Sequence, residues 1–273
     1  ADLTVSRLGS DEFWVITSAA SQTRDWAWLR RACRGRDIEI ADITDDWGVL
    51  GVMGPLSRSL LQSISNADLS NAHYPFGAIR EIEIGTTVCR ALRMSYVGEL
   101  GWEIYAPVND LETLYFAITE AGKPFGLRHA GFHAMNSLRL EAGFRHWGDD
   151  ISDEDTPLEA GLGFAISWEK PGGFIGREAL LEQRNQPRVK RLIQFRVEDS
   201  ELISYHDDPI FRDQTYVGRT TSGMWSHTQD RCVTMAYLTN PEGVDQAWLD
   251  SGVWEIEIGT RRRAVTPSIR SFY

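Results

Sequence analysis

An α+β region followed by a small all-β barrel is the fold this sequence predicts, and three observations carry the expectation. Between Ile82 and Gly122, period-two runs are followed by a single helical stripe. A second helical pattern then leads to Gly143, and from Val189 onward only alternating runs separated by turn residues remain. At roughly 150 residues per domain, 273 residues have room for about two.

Leu3, Val5 and Leu8 begin the chain as a strand, and Phe13 to Thr17 reads as another. Ser21 is placed to cap a helix whose Trp26, Leu29 and Cys33 recur at helical spacing before Gly35. After the Gly and Pro punctuation of Gly51 to Pro55, Ile82 and Ile84 alternate with Glu81 and Glu83. Val88, Leu92 and Met94 continue the pattern beyond Gly85, which predicts a hairpin. A third strand, Trp102 to Ala106, runs into Pro107. Leu111, Leu114, Tyr115 and Ile118 then form a helical face ending at Gly122. A helix over His129 to Ala142 is expected to bury Phe132, Met135, Leu138 and Ala142, with Gly143 as its stop.

After a short helix near Arg177 to Gln183, the Pro187 and Arg188 region is the expected boundary, dividing the chain into 1–187 and 188–273. In the second part Ile193, Phe195 and Val197, the run at Tyr216, Val233 to Leu238 and Val253 to Ile258 are the strand candidates. The string Glu-Ile-Glu-Ile-Gly-Thr occurs at Glu81 to Thr86 and again at Glu255 to Thr260. An alternating strand entering a turn requires such residues, so the coincidence does not imply a duplication.

The net charge of −11 disfavours nonspecific attraction to phosphate backbones or anionic membranes. No apolar stretch approaches the roughly 18 residues of a membrane span, so a small molecule or a protein is the expected partner. Cys33, Cys89 and Cys232 are an odd number at distant positions, which fits reduced thiols better than a disulfide framework. Because Ala1 opens directly into a strand, the chain is expected to be a fragment or a processed product.

Familiar catalytic signatures are missing. Gly161-Leu-Gly163 is too short for a dinucleotide loop, and no Gly-x-Ser-x-Gly elbow occurs. His129 and His133 are four apart but lack the Glu of the zinc-protease motif, so no metal site is assigned. Asp149, Asp150, Asp153, Glu154 and Asp155 lack calcium-loop spacing and read as a solvated loop. The ten Trp residues are expected chiefly in the core, and Arg261 to Arg263 at a solvent-facing strand end. The informative segment is Ser95-Tyr-Val-Gly-Glu-Leu-Gly-Trp-Glu-Ile-Tyr105: strand, glycine turn and strand, with Glu103 on the polar face.

With that segment, Ala1-Asp-Leu-Thr-Val5, Gly54-Pro55, Ala134-Met-Asn-Ser-Leu-Arg-Leu-Glu141, Phe144-Arg-His-Trp-Gly148, Thr156-Pro-Leu-Glu-Ala-Gly161, Phe174-Ile-Gly-Arg177 and Thr220-Thr-Ser-Gly223 recur in order. Together they resemble the folate-binding aminomethyltransferase family, which includes the glycine-cleavage T-protein. The C-terminal regions of dimethylglycine and sarcosine dehydrogenases and oxidases also belong to it. The resemblance spans nearly the entire chain and implies a T-protein-like mixed α/β folate-binding region followed by a small C-terminal β-barrel. It also implies that roughly a domain's worth of sequence normally precedes the first strand, so part of the folate-binding region is expected to lie outside this chain. Ala134-Met-Asn and Phe144-Arg-His-Trp-Gly favour the dehydrogenase branch. There the family's folate-contacting Arg falls at Met135, and neighbouring Arg139 is not expected to take over its role.

The resemblance implies tetrahydrofolate as cofactor, with Tyr96 and Glu103 as folate-binding residues and Asp2 as the catalytic residue. A reduced pterin presents a ring N–H beside an exocyclic amine, a donor pair that a carboxylate such as Glu103 accepts with both oxygens. Tyr96 supplies a ring to pack on the ligand. Asp2 would orient or deprotonate the folate nitrogen that attacks a one-carbon unit. The implied function is tetrahydrofolate-dependent one-carbon transfer within an N-methylglycine-type demethylating flavoprotein, with FAD confined to an upstream domain. The alternatives are a glycine-cleavage aminomethyltransferase and a non-catalytic folate-binding or assembly module. The expected partners are folate, a methylamine-derived one-carbon donor, and an upstream flavin domain or further subunits, with neither nucleic acid nor membrane. Bacterial cytoplasm or mitochondrial matrix is the implied location.

Overall fold

β1 (Leu3–Arg7) and β2 (Phe13–Thr17) pair antiparallel as a hairpin, Val5 opposite Val15. The hairpin leads to α1 (Gln22–Ala32) in a computed structural model that describes residues 1–199 and 201–273. The chain divides into two compact units, Ala1–Ala130 and Gly131–Tyr273. No helix of the described residues is long and apolar enough to cross a membrane.

In the first unit, β3 (Trp47–Met53), β4 (Ile79–Ile84), β5 (Thr87–Leu92) and β6 (Gly101–Pro107) form an antiparallel sheet of order β3-β6-β5-β4. The expected hairpin is β4 and β5, turning at Gly85, whose φ of 62° suits glycine. Period-two alternation splits the sheet into two faces. Val52, Ile82, Ile84, Cys89, Ala91, Trp102, Ile104 and Ala106 enter one core with Leu60 and Leu61 of α2 (Ser57–Gln62) and Leu114 and Ile118 of α3 (Leu111–Gly122). The opposite face carries Trp47, Val49 and Gly51 of β3, Arg90 and Leu92 of β5, and Glu103 and Tyr105 of β6.

The second unit begins with α4 (Phe132–Glu141), and α5 (Arg177–Arg184) precedes the barrel strands. β7 (Lys190–Val197), β8 (Pro209–Arg212), β9 (Thr215–Ser226), β10 (Arg231–Thr239), β11 (Trp254–Ile258) and β12 (Arg261–Ser268) close in the order β10-β7-β12-β11-β8-β9. α6 (Gln246–Asp250) lies between β10 and β11. Ile193, Phe195, Val197, Ile210, Cys232, Ala236, Leu238, Trp254, Ile256 and Val265 build the barrel core. The repeated six-residue string falls on the two hairpin entries, β4 into β5 and β11 into β12. Gly223 of the Thr-Thr-Ser-Gly motif has a packing reason: a Cβ there would lie 2.0 Å from the Ser204 carbonyl oxygen.

The first barrel strand begins at Lys190, just after the expected 187/188 boundary, whereas packing divides the chain before α4. Polar bonds fasten that helix to the barrel: Ser137 Oγ donates to the Trp225 carbonyl at 2.6 Å, and Thr228 N and Oγ1 donate to the Glu141 carboxylate at 3.1 and 3.0 Å. Gln194 Nε2 donates to the Leu140 carbonyl at 2.5 Å. The expected apolar face of this helix therefore needs correction. Phe132 is 65% exposed, and the buried residues are Ser137, Arg139, Leu140 and Glu141, because a bonded polar network occupies the side that the apolar pattern left out.

Candidate functional site

The glycines of the Tyr96 to Glu103 segment set its path. Gly98 has φ of 75°, and at Gly101 a Cβ would lie 2.8 Å from Met53 Cγ and 3.2 Å from the Val52 carbonyl oxygen. Gly54 N donates to the Leu100 carbonyl at 2.7 Å and Ser57 Oγ reaches the same oxygen at 3.2 Å, which ties the turn to the end of β3 and the start of α2. This fixes where β6 begins, and hence which of its side chains face outward.

Glu103 is half-buried on the outward face, flanked across the ladders by Gly51 and Leu92. Its Oε2 accepts the Tyr105 hydroxyl at 2.5 Å, and among the described residues Oε1 has no protein donor. Burial first, then the Glu103 carboxylate itself, pushes the Tyr105 phenol well above the ordinary tyrosine pKa, so it remains a donor. Tyr96, half-buried in the loop before β6, is on the same turn that delivers Glu103. The structure thus places Tyr96 and Glu103 on one short loop and strand.

An aromatic and cationic cluster, unmarked by the sequence motifs, supports this face. The Trp14 ring of β2 meets Tyr105 at 5.4 Å between centroids and Trp47 at 4.9 Å, both edge to face. The Arg90 guanidinium lies 4.6 Å from the Trp14 ring centroid and 5.0 Å from that of Trp47. Tyr105 has a legible signal in retrospect, because residues two apart on a strand share a face. Trp14 and Arg90 have none, since their meeting depends on how the hairpin lies on the sheet.

Asp2 lies exposed immediately before β1, and no hydrogen bond or ion pair joins it to Tyr96 or Glu103 among the described residues. The other candidate groups are otherwise engaged. His129 precedes α4 and shares a 3.0 Å hydrogen bond with Tyr115, against the helical His129 and His133 pairing that the spacing suggested. Asp150 and Asp155 are also corrected. Asp150 is 0% exposed and accepts Arg139 Nη1 at 2.5 Å, and Asp155 accepts Lys190 Nζ at 2.7 Å, so two of the five loop acids are internal ion-pair partners.

Arg139, 1% exposed, commits four of its five N–H donors inside the protein. It donates to Asn136 Oδ1 at 2.7 Å, the Phe144 carbonyl at 3.0 Å and Ser222 Oγ at 2.8 Å in addition to Asp150. Met135, half-buried on the same helix, offers only a thioether. Chemically, the first unit thus offers a partly covered sheet face with one oriented carboxylate, aromatic rings and a guanidinium in contact with two indoles. That arrangement suits a flat ligand with paired N–H donors.

The family model described as the GCVT N-terminal domain matches residues 1–170, and that of the glycine cleavage T-protein C-terminal barrel domain matches residues 190–273. The 4-methylaminobutanoate oxidase (formaldehyde-forming) of Paenarthrobacter nicotinovorans is 39% identical over 272 residues, covering 100% of this chain and 32% of that protein. Mitochondrial dimethylglycine dehydrogenase of Mus musculus is 38% identical over 240 residues, 87% of this chain and 28% of its own length. The chain therefore spans about a third or less of these relatives. The crystal structure of the glycine cleavage system aminomethyltransferase T from Bartonella henselae has the same fold, with a TM-score of 0.80 at 24% identity over 97% of this chain and 69% of that one.

Proposed function

Because the chain belongs to the glycine cleavage T-protein family, we propose that it is the tetrahydrofolate-dependent one-carbon transfer region of an N-methylglycine-type demethylating flavoprotein, forming methylene-tetrahydrofolate. The observation that carries this reading is the Glu103 carboxylate, with one oxygen held by Tyr105 and the other without a protein donor among the described residues. Its remaining lone pairs suit the ring N–H and exocyclic amine of a reduced pterin. Similarity at 38–39% identity to an oxidase and a dehydrogenase supports the flavoprotein branch over a stand-alone glycine-cleavage aminomethyltransferase.

When bound, tetrahydrofolate supplies a nucleophilic nitrogen that captures a one-carbon unit at the oxidation level of formaldehyde. In this reading Glu103 binds the pterin edge and fixes its orientation, and Tyr96 packs on the ring. Asp2 holds or accepts the proton of the reacting nitrogen. In this reading, oxidation of the methylamine belongs to an FAD domain of the parent flavoprotein. A second reading, a folate-binding or assembly module without turnover, is supported by the exposed position of Asp2, which no hydrogen bond or ion pair joins to Tyr96 or Glu103 among the described residues.

Anaerobic calorimetric titration of the chain with tetrahydrofolate, beside a folded Glu103→Ala variant, tests the proposal. The parent chain is expected to bind. The variant is expected to bind roughly 10- to 100-fold more weakly, since a hydrogen bond to a charged group contributes about 1.5–3 kcal/mol. No binding by the parent, or equal binding by both, would overturn the assignment. Binding without capture of added formaldehyde would favour the module reading.

A further inference from the structure

The half-buried Glu103 carboxylate sits at the end of a side chain with several rotatable bonds, and such a group ordinarily samples rotamers that a ligand must freeze. Here it does not stand alone. Tyr105, two residues along β6 and 8% exposed, donates its hydroxyl to Oε2 at 2.5 Å. The Tyr105 ring is itself fixed: Trp14 meets it edge to face at 5.4 Å, and Val49 and Arg90 are its cross-strand neighbours. Trp14 is in turn in contact with Trp47, and the Arg90 guanidinium lies near both indoles, 4.6 and 5.0 Å from their centroids.

We propose that Tyr105 is a positioning residue of the site, holding the Glu103 carboxylate in one orientation so that it selects ligands presenting two adjacent N–H donors. This rests on the folate reading above and deepens it. An ionised carboxylate offers about four acceptor positions, and the tyrosine takes one. Oε1 and the second lone pair of Oε2 remain, side by side, as a bidentate acceptor. A Tyr at this place contributes pre-organisation without competing for the ligand, because its hydroxyl approaches one oxygen only. The hairpin enters the device through Trp14, so the β1–β2 unit that carries Asp2 is packed against the group that orients Glu103.

Tyr105→Phe removes the hydroxyl and keeps the ring that Trp14 packs on. Calorimetry of the parent chain and of this variant, each with tetrahydrofolate and with 2-desamino-2-methyltetrahydrofolate, reads the role directly, because the analogue lacks the exocyclic amine. The expected result is an about tenfold weaker affinity of the variant for tetrahydrofolate with unchanged affinity for the analogue, so that the discrimination between the two falls about tenfold. Unchanged tetrahydrofolate affinity, or parallel weakening of both ligands, overturns the positioning role and leaves the folate reading standing. A parent chain that binds neither ligand overturns both. Circular dichroism and the thermal midpoint of Tyr105→Phe, expected to match the parent, separate a lost hydrogen bond from a lost fold.

Discussion

Arg139 and Asp150 form the most deeply buried ion pair among the described residues, both charges withdrawn from water. Asp150 also accepts His146 N at 2.9 Å and Thr221 Oγ1 at 2.5 Å, so both of its oxygens are engaged. Removing one partner leaves the other charge buried alone, and Arg139→Met is expected to cost about 3–5 kcal/mol of stability. Adding Asp150→Asn should recover part of that loss, and chemical denaturation midpoints of the single and double variants measure it. A pattern of apolar residues could not reveal this pair. The helix containing Arg139 was expected to bury Phe132, Met135 and Leu138, because periodicity counts apolar side chains and gives no weight to a satisfied polar network.

At the scale of elements, the junction between β2 and α1 is held by a buried acid, Asp25. Asp25 is 6% exposed, and the Thr17 hydroxyl, then the Arg24 guanidinium at 2.9 Å, hold its pKa at about 2 against an ordinary 3.8. A carboxyl depressed in the folded state contributes stability that is present above the unfolded pKa and is lost as pH falls toward the folded one. The parent chain should therefore lose stability between pH 3.8 and about 2 in part through Asp25. Asp25→Asn should be less stable at neutral pH and show a flatter dependence over that window, read from urea midpoints at stepped pH. The predicted strand and helix at this junction agree with β2 and α1, since each follows from local spacing. The bond between them does not, because Thr17 and Asp25 meet only after the turn has formed.

Over the whole molecule, the two units carry separate reporters. Cys89 is buried in the sheet core and Cys232 in the barrel, and burial pushes their thiols up to about 12 and about 11, whereas Cys33 is half-exposed. With a thiol reagent at neutral pH, Cys33 is expected to label first, and Cys89 and Cys232 only as their own units open. Labelling followed by peptide mass analysis through a denaturant series tests whether the units unfold together or in turn. The sequence by itself determined the order of an α+β region followed by an all-β one, the β4–β5 hairpin, and the strand and turn that present Glu103. All of these are written in local periodicity and glycine placement, which act over a few residues. Only the tertiary structure decided that Tyr105 caps Glu103, that Trp14 and Arg90 support it, and that Arg139 belongs to Asp150 and Ser222. Such partnerships depend on which faces and loops the completed fold brings within about 3 Å for a hydrogen bond, and residue spacing alone does not specify that.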